Sequence, residues 1–539
     1  MTSKKWFIPF LCLICCLTTK AQNTITLDST IVQVTVLATN QDVPWEILWG
    51  PDNWLWMTER GGTISRMNPD TGEKIPLFTI PDCYEQQESG LLGMVLHPDF
   101  VNQPYVYLVY NYLQGFQIKE RLVRYTYNGT TFTDPFIMLN SISGNSTHIG
   151  SRLLILPDST LLMTTGDAQD QPSAQDLNEL TGKVLRFNLD GTIPADNPFG
   201  VDNPVYSYGH RNAQGLVLAP NGLLYSSEHG PTNDDELNVI VKGANYGWPT
   251  VQGFCDTPLE AAFCSANTVT EPLLSWTPTL AVAGIDYFNH PSIPEWQNSI
   301  LMATLKAKRF YQFSLATDGT IAESNVFLEN VFGRLRDVCV APDGRIFVSS
   351  SNRDAYGTPS ANDDRIIVLR NPNYNLPIAN FTYTIDSCAM VQFTSLSENA
   401  QYYQWDFGDG YTSTTANPIH IYLNAGEYNV QMVAANSYAS DTISFPINIT
   451  CNVGVSNPVG LPIQIVPNPM TDAMQLSYPM SWGGAILCIY NMEGKVVSQA
   501  TLDSSGGFVW QCQHAPAGAY YLQIKTLQGV YVHQKMIVQ

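Results

Sequence analysis

LVLAPNGLLYSS, residues 216–227, decides the fold. An apolar run at 216–219 enters Pro220-Asn221-Gly222 and leaves as a second apolar run at 223–226. Proline presets φ, while asparagine and glycine tolerate the left-handed region, so the trio reads as a tight turn between two strands. The same signature, a proline with an acid or asparagine and then an apolar strand, recurs along the chain. It stands at Pro51-Asp52-Asn53 before 55–58, Pro98-Asp99 before 105–110 and Pro157-Asp158 before 160–165. After residue 227 it returns at Pro294-Glu295 before 300–303 and at Pro342-Asp343-Gly344 before 346–350. Long helical periods are almost absent between residues 32 and 370, as in an all-β fold. Six units spaced by about 47 to 74 residues predict a six-bladed β-propeller whose inner strands line a central channel, with ligands bound at one end of it.

On either side of the opening stretch lies polar chemistry. Arg211, Asn212 and Gln214 precede it, and an oxygen-rich loop, residues 228–236, follows. Guanidinium matches carboxylate geometry while acids and backbone carbonyls suit calcium, so the pairing points to an anionic ligand held with a hard cation. Arg334 and Arg336 stand two apart before the apolar run 338–341, so at strand period two they point the same way. With Lys306 and Arg211 they would converge on a multiply anionic ligand. The alternative is that each cation pairs with a surface acid. His148, in STHIGSR (146–152), has the titration range of a general base, although a lone histidine is usually a packing residue. His97, His210 and His229 read as structural or supporting.

The chain's 539 residues exceed one ordinary core, and two to four domains are expected. Residues 1–21 have Lys4 and Lys5, then an apolar run at 6–17, the layout of a secretory signal cleaved near Ala21. No later stretch approaches the roughly 20 apolar residues of a membrane helix, so no membrane span is expected. A net charge of −21 argues against nucleic acid and anionic membranes, since both need basic surface. Eight cysteines lie outside the signal. Cys255 with Cys264 would close a short loop, Cys388 with Cys451 would brace a later module and Cys488 with Cys512 the last one. Cys83 and Cys339 receive no assignment.

After a polar linker at 371–377 come alternating strands around WDFGDG (405–410), a hairpin-type signal in a small sandwich. Residues 377–451 resemble a PKD domain, an immunoglobulin-like module of extracellular proteins. A second linker, 452–462, precedes IVPNP (465–469), the strand 486–490, NMEGK (491–495) and Pro516-Ala517-Gly518. Residues 461–539 thus resemble the C-terminal sorting domain of the type IX secretion system. This implies that the secretion machinery is a partner and that the protein is secreted or held at the cell surface.

Within the propeller domain, 30–372, the markers are GLLGMVLHPDF (90–100), YGHRNAQG (208–215), EHGPTNDDELN (228–238) and NYGWP (245–249), with Pro294-Glu295-Trp296, Leu305-Lys306 and Arg334-Leu335-Arg336-Asp337. In this order they resemble the soluble PQQ-dependent glucose and aldose sugar dehydrogenases, six-bladed propellers that bind pyrroloquinoline quinone (PQQ) through calcium. The resemblance implies His148 as the base and Glu88, Arg211, Asn212 and Gln214 as contacts at the cofactor. Lys306, Arg334 and Arg336 would meet its carboxylates and quinone oxygens, and Trp276 would lie beside its ring. The carbonyls of Gly230 and Pro231 would hold its calcium, with Glu236, Tyr246 and Glu271 at a second, structural calcium. His148 would take the proton of an aldose's anomeric hydroxyl while hydride moves from C1 to the quinone, giving a lactone and electrons for an external acceptor. Thr147 stands where the glucose-oxidising members carry an acid, and Ala168 where they carry glutamine. The alternative reading is a non-catalytic surface propeller that binds glycans or protein.

Overall fold

The computed structural model describes residues 23–386, 389–422, 424–436, 439–450, 463–526 and 531–539. The secretory start and the Cys388–Cys451 pairing lie outside the described residues. The chain divides into two compact units after residue 372.

In the first unit the described strands form six sheets. Their innermost strands are Pro44–Trp49, Leu91–Leu96, Gly150–Ile155, Ala213–Leu218, Val282–Phe288 and Leu335–Val340. Each touches the next, and the last returns to the first, closing a ring. The second strand of each sheet, such as Leu224–Glu228 or Ile346–Ser350, pairs antiparallel with the innermost one. The proline turns of the sequence repeat make these inner connections. Ring closure joins distant segments: Ile31–Ala38 lies antiparallel to Ile366–Arg370, with Gln33 opposite Arg370, and Asn23–Thr26 adds a further strand outside it. Adjacent sheets bury apolar faces against each other, as Val32, Phe288, Trp296, Phe310 and Leu335 do at the closure.

Every innermost strand carries a register shift near its start, between Pro44 and Glu46, Leu91 and Met94, Gly150 and Leu153, Ala213 and Gly215, Val282 and Ile285, and Leu335 and Asp337. A bulge breaks alternation and re-aims side chains. Here it delivers Glu46, Arg152, Gln214 and Arg336, all buried, to the centre of the ring. The centre has no slack: a Cβ on Gly284 would lie 1.8 Å from Asp337 Oδ1.

Below the bulges, Arg152 Nη1 lies 2.5 Å from Glu46 Oε1 and 3.1 Å from Asp337 Oδ1. Glu120, on a neighbouring sheet, is buried, and among the described residues its Oε1 accepts the Ser151 hydroxyl, at 2.7 Å. Burial raises the Glu120 carboxyl to about 8. Its folded value therefore exceeds its unfolded one, so the folded state holds the extra proton and the stability this gives is lost as pH rises toward 8. We expect the melting temperature of the first unit to fall between pH 5 and pH 8, and Glu120→Gln, which keeps an acceptor for Ser151, to flatten that fall. Calorimetry across pH checks this, and an unchanged slope in the variant would reject it.

The second unit contains two sandwiches. In the first, Trp405 is fully buried with its Nε1–H donating to the Thr415 carbonyl at 2.9 Å, while Gly408 and Gly410 hold φ of 79° and 93° in the turn. WDFGDG thus serves the fold. In the last sandwich the expected Cys488–Cys512 bridge is absent, and both cysteines are free. Strand alternation explains this: Leu487 and Ile489 point into the core that holds Cys512, so Cys488 between them faces the other side of the sheet. Cys255 and Cys264 do form a disulfide, across the capped helix Pro258–Asn267. Among the described residues no helix is long and apolar enough to cross a membrane.

Candidate active site

His148 precedes the innermost strand Gly150–Ile155 with φ of 58°. Its backbone N–H donates to Glu88 Oε2 at 3.0 Å, and its carbonyl accepts from the Ala168 N–H at 3.1 Å. The ring is gripped at both nitrogens: Nδ1 is 2.8 Å from Asp167 Oδ1, and Nε2 is 2.9 Å from Arg211 Nη2. A carboxylate only accepts and a guanidinium only donates, so Nδ1 carries the hydrogen and Nε2 presents its lone pair. That is the tautomer a base working through Nε2 requires.

Asp167 is fully buried and accepts two further bonds, from the Gln169 N–H to Oδ1 at 2.8 Å and from Trp248 Nε1–H to Oδ2 at 2.9 Å. Sequence reasoning passed over Asp167 and Trp248. The signal was present in an acid at the end of the apolar strand Thr160–Thr165, the strand that pairs with the one following His148. Support reaches further: the buried Lys183 ammonium donates to the carbonyls of Ser173, Ala174 and Thr181, fixing the short helix Gln171–Gln175. Gln175 in turn donates to the Trp248 carbonyl at 2.7 Å. Trp248→Phe keeps the ring under Arg211 but deletes the donor to Asp167. We expect kcat to fall roughly tenfold, as for other partners that orient a reacting group indirectly, with cofactor uptake unchanged in a titration.

Arg211 donates Nη1–H to the His229 carbonyl at 3.1 Å and lies 5.3 Å from the Trp248 ring centre. Asn212 is fully buried, its Oδ1 accepting from the Gly150 N–H and the Gln214 amide at 3.0 and 2.9 Å. Gln214 Oε1 accepts from Arg336 Nη1 at 2.9 Å. Arg334 donates Nε–H and Nη2–H to Asp354 Oδ2 at 2.9 and 2.8 Å, whereas Arg336 reaches the same oxygen only at 3.8 Å. Burial lowers Arg336 to about 10, with Asp354 opposing. Arg334 lies just ahead of the strand and Arg336 at its bulge, so the bulge, and not simple alternation, brings the two to one place.

A cavity of about 360 Å³ is lined by Glu88, Gln214, His229, Lys306, Arg334 and Arg336, with Asp354 and Tyr356. Lys306 Nζ donates to Thr279 Oγ1 at 2.7 Å. A smaller hollow of about 10 Å³ beside it is lined by Arg211, His229, Gly230, Pro231, Glu236 and Tyr246. His229 is common to both. Its Nε2 is buried without a partner, and burial, then the charges of Arg211 and Arg336, lower it to about 3, so it stays neutral. At this site Arg211 Nε, Asn212 Nδ2 and Arg336 Nε are likewise buried without a hydrogen-bond partner among the described residues.

Gly230 donates its N–H to Asp235 Oδ1 at 2.8 Å, and a Cβ there would lie 2.0 Å from the Asn233 carbonyl oxygen. Only glycine lets this carbonyl-rich loop close up. Burial first, then the Glu228 charge, raises Glu236 to about 8.

Two expected residues are not brought in. Trp276 packs on Tyr311 and Phe313 at 6.3 and 5.9 Å and does not line the cavity. Glu271 is exposed and accepts the Cys255 N–H at 2.7 Å, while the Tyr246 hydroxyl is engaged by Val239 and Val241. Of the trio Glu236, Tyr246 and Glu271, the first two line the small hollow together, and Glu271 does not line it.

Three families of known proteins match the chain. The Glucose / Sorbosone dehydrogenase family matches residues 41–357, the PKD domain residues 380–448 and the secretion system C-terminal sorting domain residues 464–539. The sorting domain marks the protein for type IX secretion to the cell surface or beyond. Quinoprotein glucose dehydrogenase B of Acinetobacter calcoaceticus is 32% identical over 437 residues, covering 65% of this chain and 90% of that protein. Aldose sugar dehydrogenase YliI of Escherichia coli is 33% identical over 335 residues, covering 59% and 89%. The PQQ-bound aldose sugar dehydrogenase of Streptomyces coelicolor superposes with a TM-score of 0.56 at 32% identity, over 63% of this chain and 98% of that one. With a propeller ring, an oriented histidine and a family match over most of the first unit, the chain belongs to the glucose/sorbosone dehydrogenase family and is a sugar dehydrogenase of the quinoprotein type.

Proposed function

We propose that the protein is a PQQ- and calcium-dependent aldose dehydrogenase that oxidises the anomeric carbon of its sugar to a lactone. The observation that carries this reading is a set of buried nitrogens at the site for which the described residues offer no hydrogen-bond partner, namely Arg211 Nε, Asn212 Nδ2 and Arg336 Nε. An unsatisfied buried donor costs about 1–3 kcal/mol, so three together favour a bound group rich in acceptors. PQQ, a tricarboxylate with quinone oxygens, suits that donor set.

Lys306, Arg334 and Arg336 hold its carboxylates, with Glu88, Asn212 and Gln214 fixing the cations and the His148 loop. The carbonyls of Gly230 and Pro231 seat the calcium, since hard cations take oxygen ligands. When bound, PQQ supplies the electrophilic quinone that accepts hydride from C1. His148 Nε2 removes the proton of the anomeric hydroxyl, and Asp167 keeps Nδ1–H aimed and offsets the charge the ring gains. Arg211 already donates to that lone pair, so the entering hydroxyl shares or displaces its guanidinium.

Purified protein mixed with PQQ and calcium is expected to take up the cofactor and reduce a dye with aldoses, and a chelator is expected to stop turnover. Lack of uptake would reject the reading. His148→Gln is expected to abolish oxidation while PQQ still binds. One contact favours a passive, glycan-binding propeller: Asp354 already neutralises Arg334. Binding on a glycan array without PQQ uptake would establish that alternative.

A further inference from the structure

Next to the cofactor cavity lies a second one of about 360 Å³, and Lys306, Arg334 and Tyr356 line both. Its other charged residues are Lys308, Arg365 and Asp363. Four cations against one acid is the reverse of the chain as a whole, which has 26 Lys and Arg against 47 Asp and Glu. Arg365 is held by Asp363 at 3.0 Å and Arg334 by Asp354. Lys306 and Lys308 are exposed, and among the described residues neither has a carboxylate partner. With a bound cofactor's carboxylates on Lys306 and Arg334, Lys308 stays uncompensated on this concave wall, where such a cation focuses the field and draws anions.

We propose that this second cavity receives the external electron acceptor, as a small multivalent anion. The inference rests on the PQQ reading above, since an oxidant is needed only if the first cavity holds a redox cofactor. Reoxidation of the two-electron-reduced cofactor releases two electrons and two protons. Two equivalents of a one-electron acceptor such as hexacyanoferrate(III) take the electrons, each becoming hexacyanoferrate(II), and the protons go to solvent. Lys308 is the residue on which to test this, because it lines the second cavity and not the first.

Redox-inert hexacyanocobaltate(III), titrated calorimetrically into the full chain with and without PQQ and calcium, is expected to bind at one site. Lys308→Glu is expected to weaken that binding at least tenfold. In turnover the same variant should lower kcat/KM for hexacyanoferrate(III) about tenfold and steepen no salt dependence, while kcat/KM for the aldose and for the cationic acceptor phenazine methosulfate stays unchanged. Absence of hexacyanocobaltate binding in protein that takes up PQQ and oxidises aldoses would overturn this proposal alone. Equal loss with both acceptors would overturn it too, as would displacement of the anion by a hexuronate that competes with the aldose. Failure of PQQ uptake would instead sink the cofactor reading, and the inert anion could still be measured.

Discussion

Asp167→Asn is expected to lower kcat by roughly 10³- to 10⁴-fold while PQQ affinity stays within about threefold, the loss known when an orienting carboxylate behind a catalytic histidine becomes an amide. All the side-chain and backbone groups that reach its carboxylate are donors: His148 Nδ1–H and the Gln169 N–H at Oδ1, and Trp248 Nε1–H at Oδ2. An asparagine offers one accepting oxygen and one NH₂. If the NH₂ meets His148, it forces the proton onto Nε2 and removes the lone pair that would take the substrate proton. If it meets Trp248, two donors collide in a buried place. Steady-state kinetics with saturating PQQ and calcium, beside a cofactor titration, check this. Activity within tenfold of the parent would show that Asp167 is not what sets the tautomer.

Arg336→Met is expected to weaken PQQ binding by about 2–5 kcal/mol, the usual cost of truncating one partner of a buried charge pair and roughly 30- to several thousand-fold in Kd. Arg336 is buried, and Gln214 satisfies one of its nitrogens while Nε has no partner. Among the described residues the acid within 4 Å of it, Asp354, is claimed by two bonds from Arg334. Methionine keeps the aliphatic stem and leaves Asp354 paired with Arg334 at the loss of the one bond to Gln214, so the melting temperature of the chain without cofactor should drop only slightly. Unchanged PQQ affinity with a large drop in melting temperature would instead make Arg336 a structural cation. Fluorescence titration with PQQ and a thermal scan distinguish the two outcomes.

The propeller was legible because each inner connection is a local event, a proline turn between two apolar runs, as at residues 216–227. So were the residue types of the site. Its assembly was less so. The bulge at Leu335–Asp337, which takes Arg334 and Arg336 to one cavity, depends on pairing with Ile346–Ser350 and leaves no mark in the spacing of the arginines. Asp167, which holds the ring of His148, carries no signal of that role in its neighbours along the chain beyond its place at the end of an apolar strand. Conversely, Trp276 and Glu271 carried the right motif positions yet face other neighbours, and of Cys488 and Cys512, plausible by count, the second lies in the core and the first on the other side of the sheet.

By itself, then, the sequence determined the all-β class, the order of the three kinds of module and a concentration of cations and carbonyls around residues 208–249, because turns, alternation and residue chemistry act over a few neighbours. Only the tertiary structure decided how the ring closes through Ile31–Ala38 and Ile366–Arg370, which tautomer His148 holds, and which buried donors are left for a ligand. Those depend on contacts between segments tens to hundreds of residues apart, where geometry and burial, not local propensity, set the free energy.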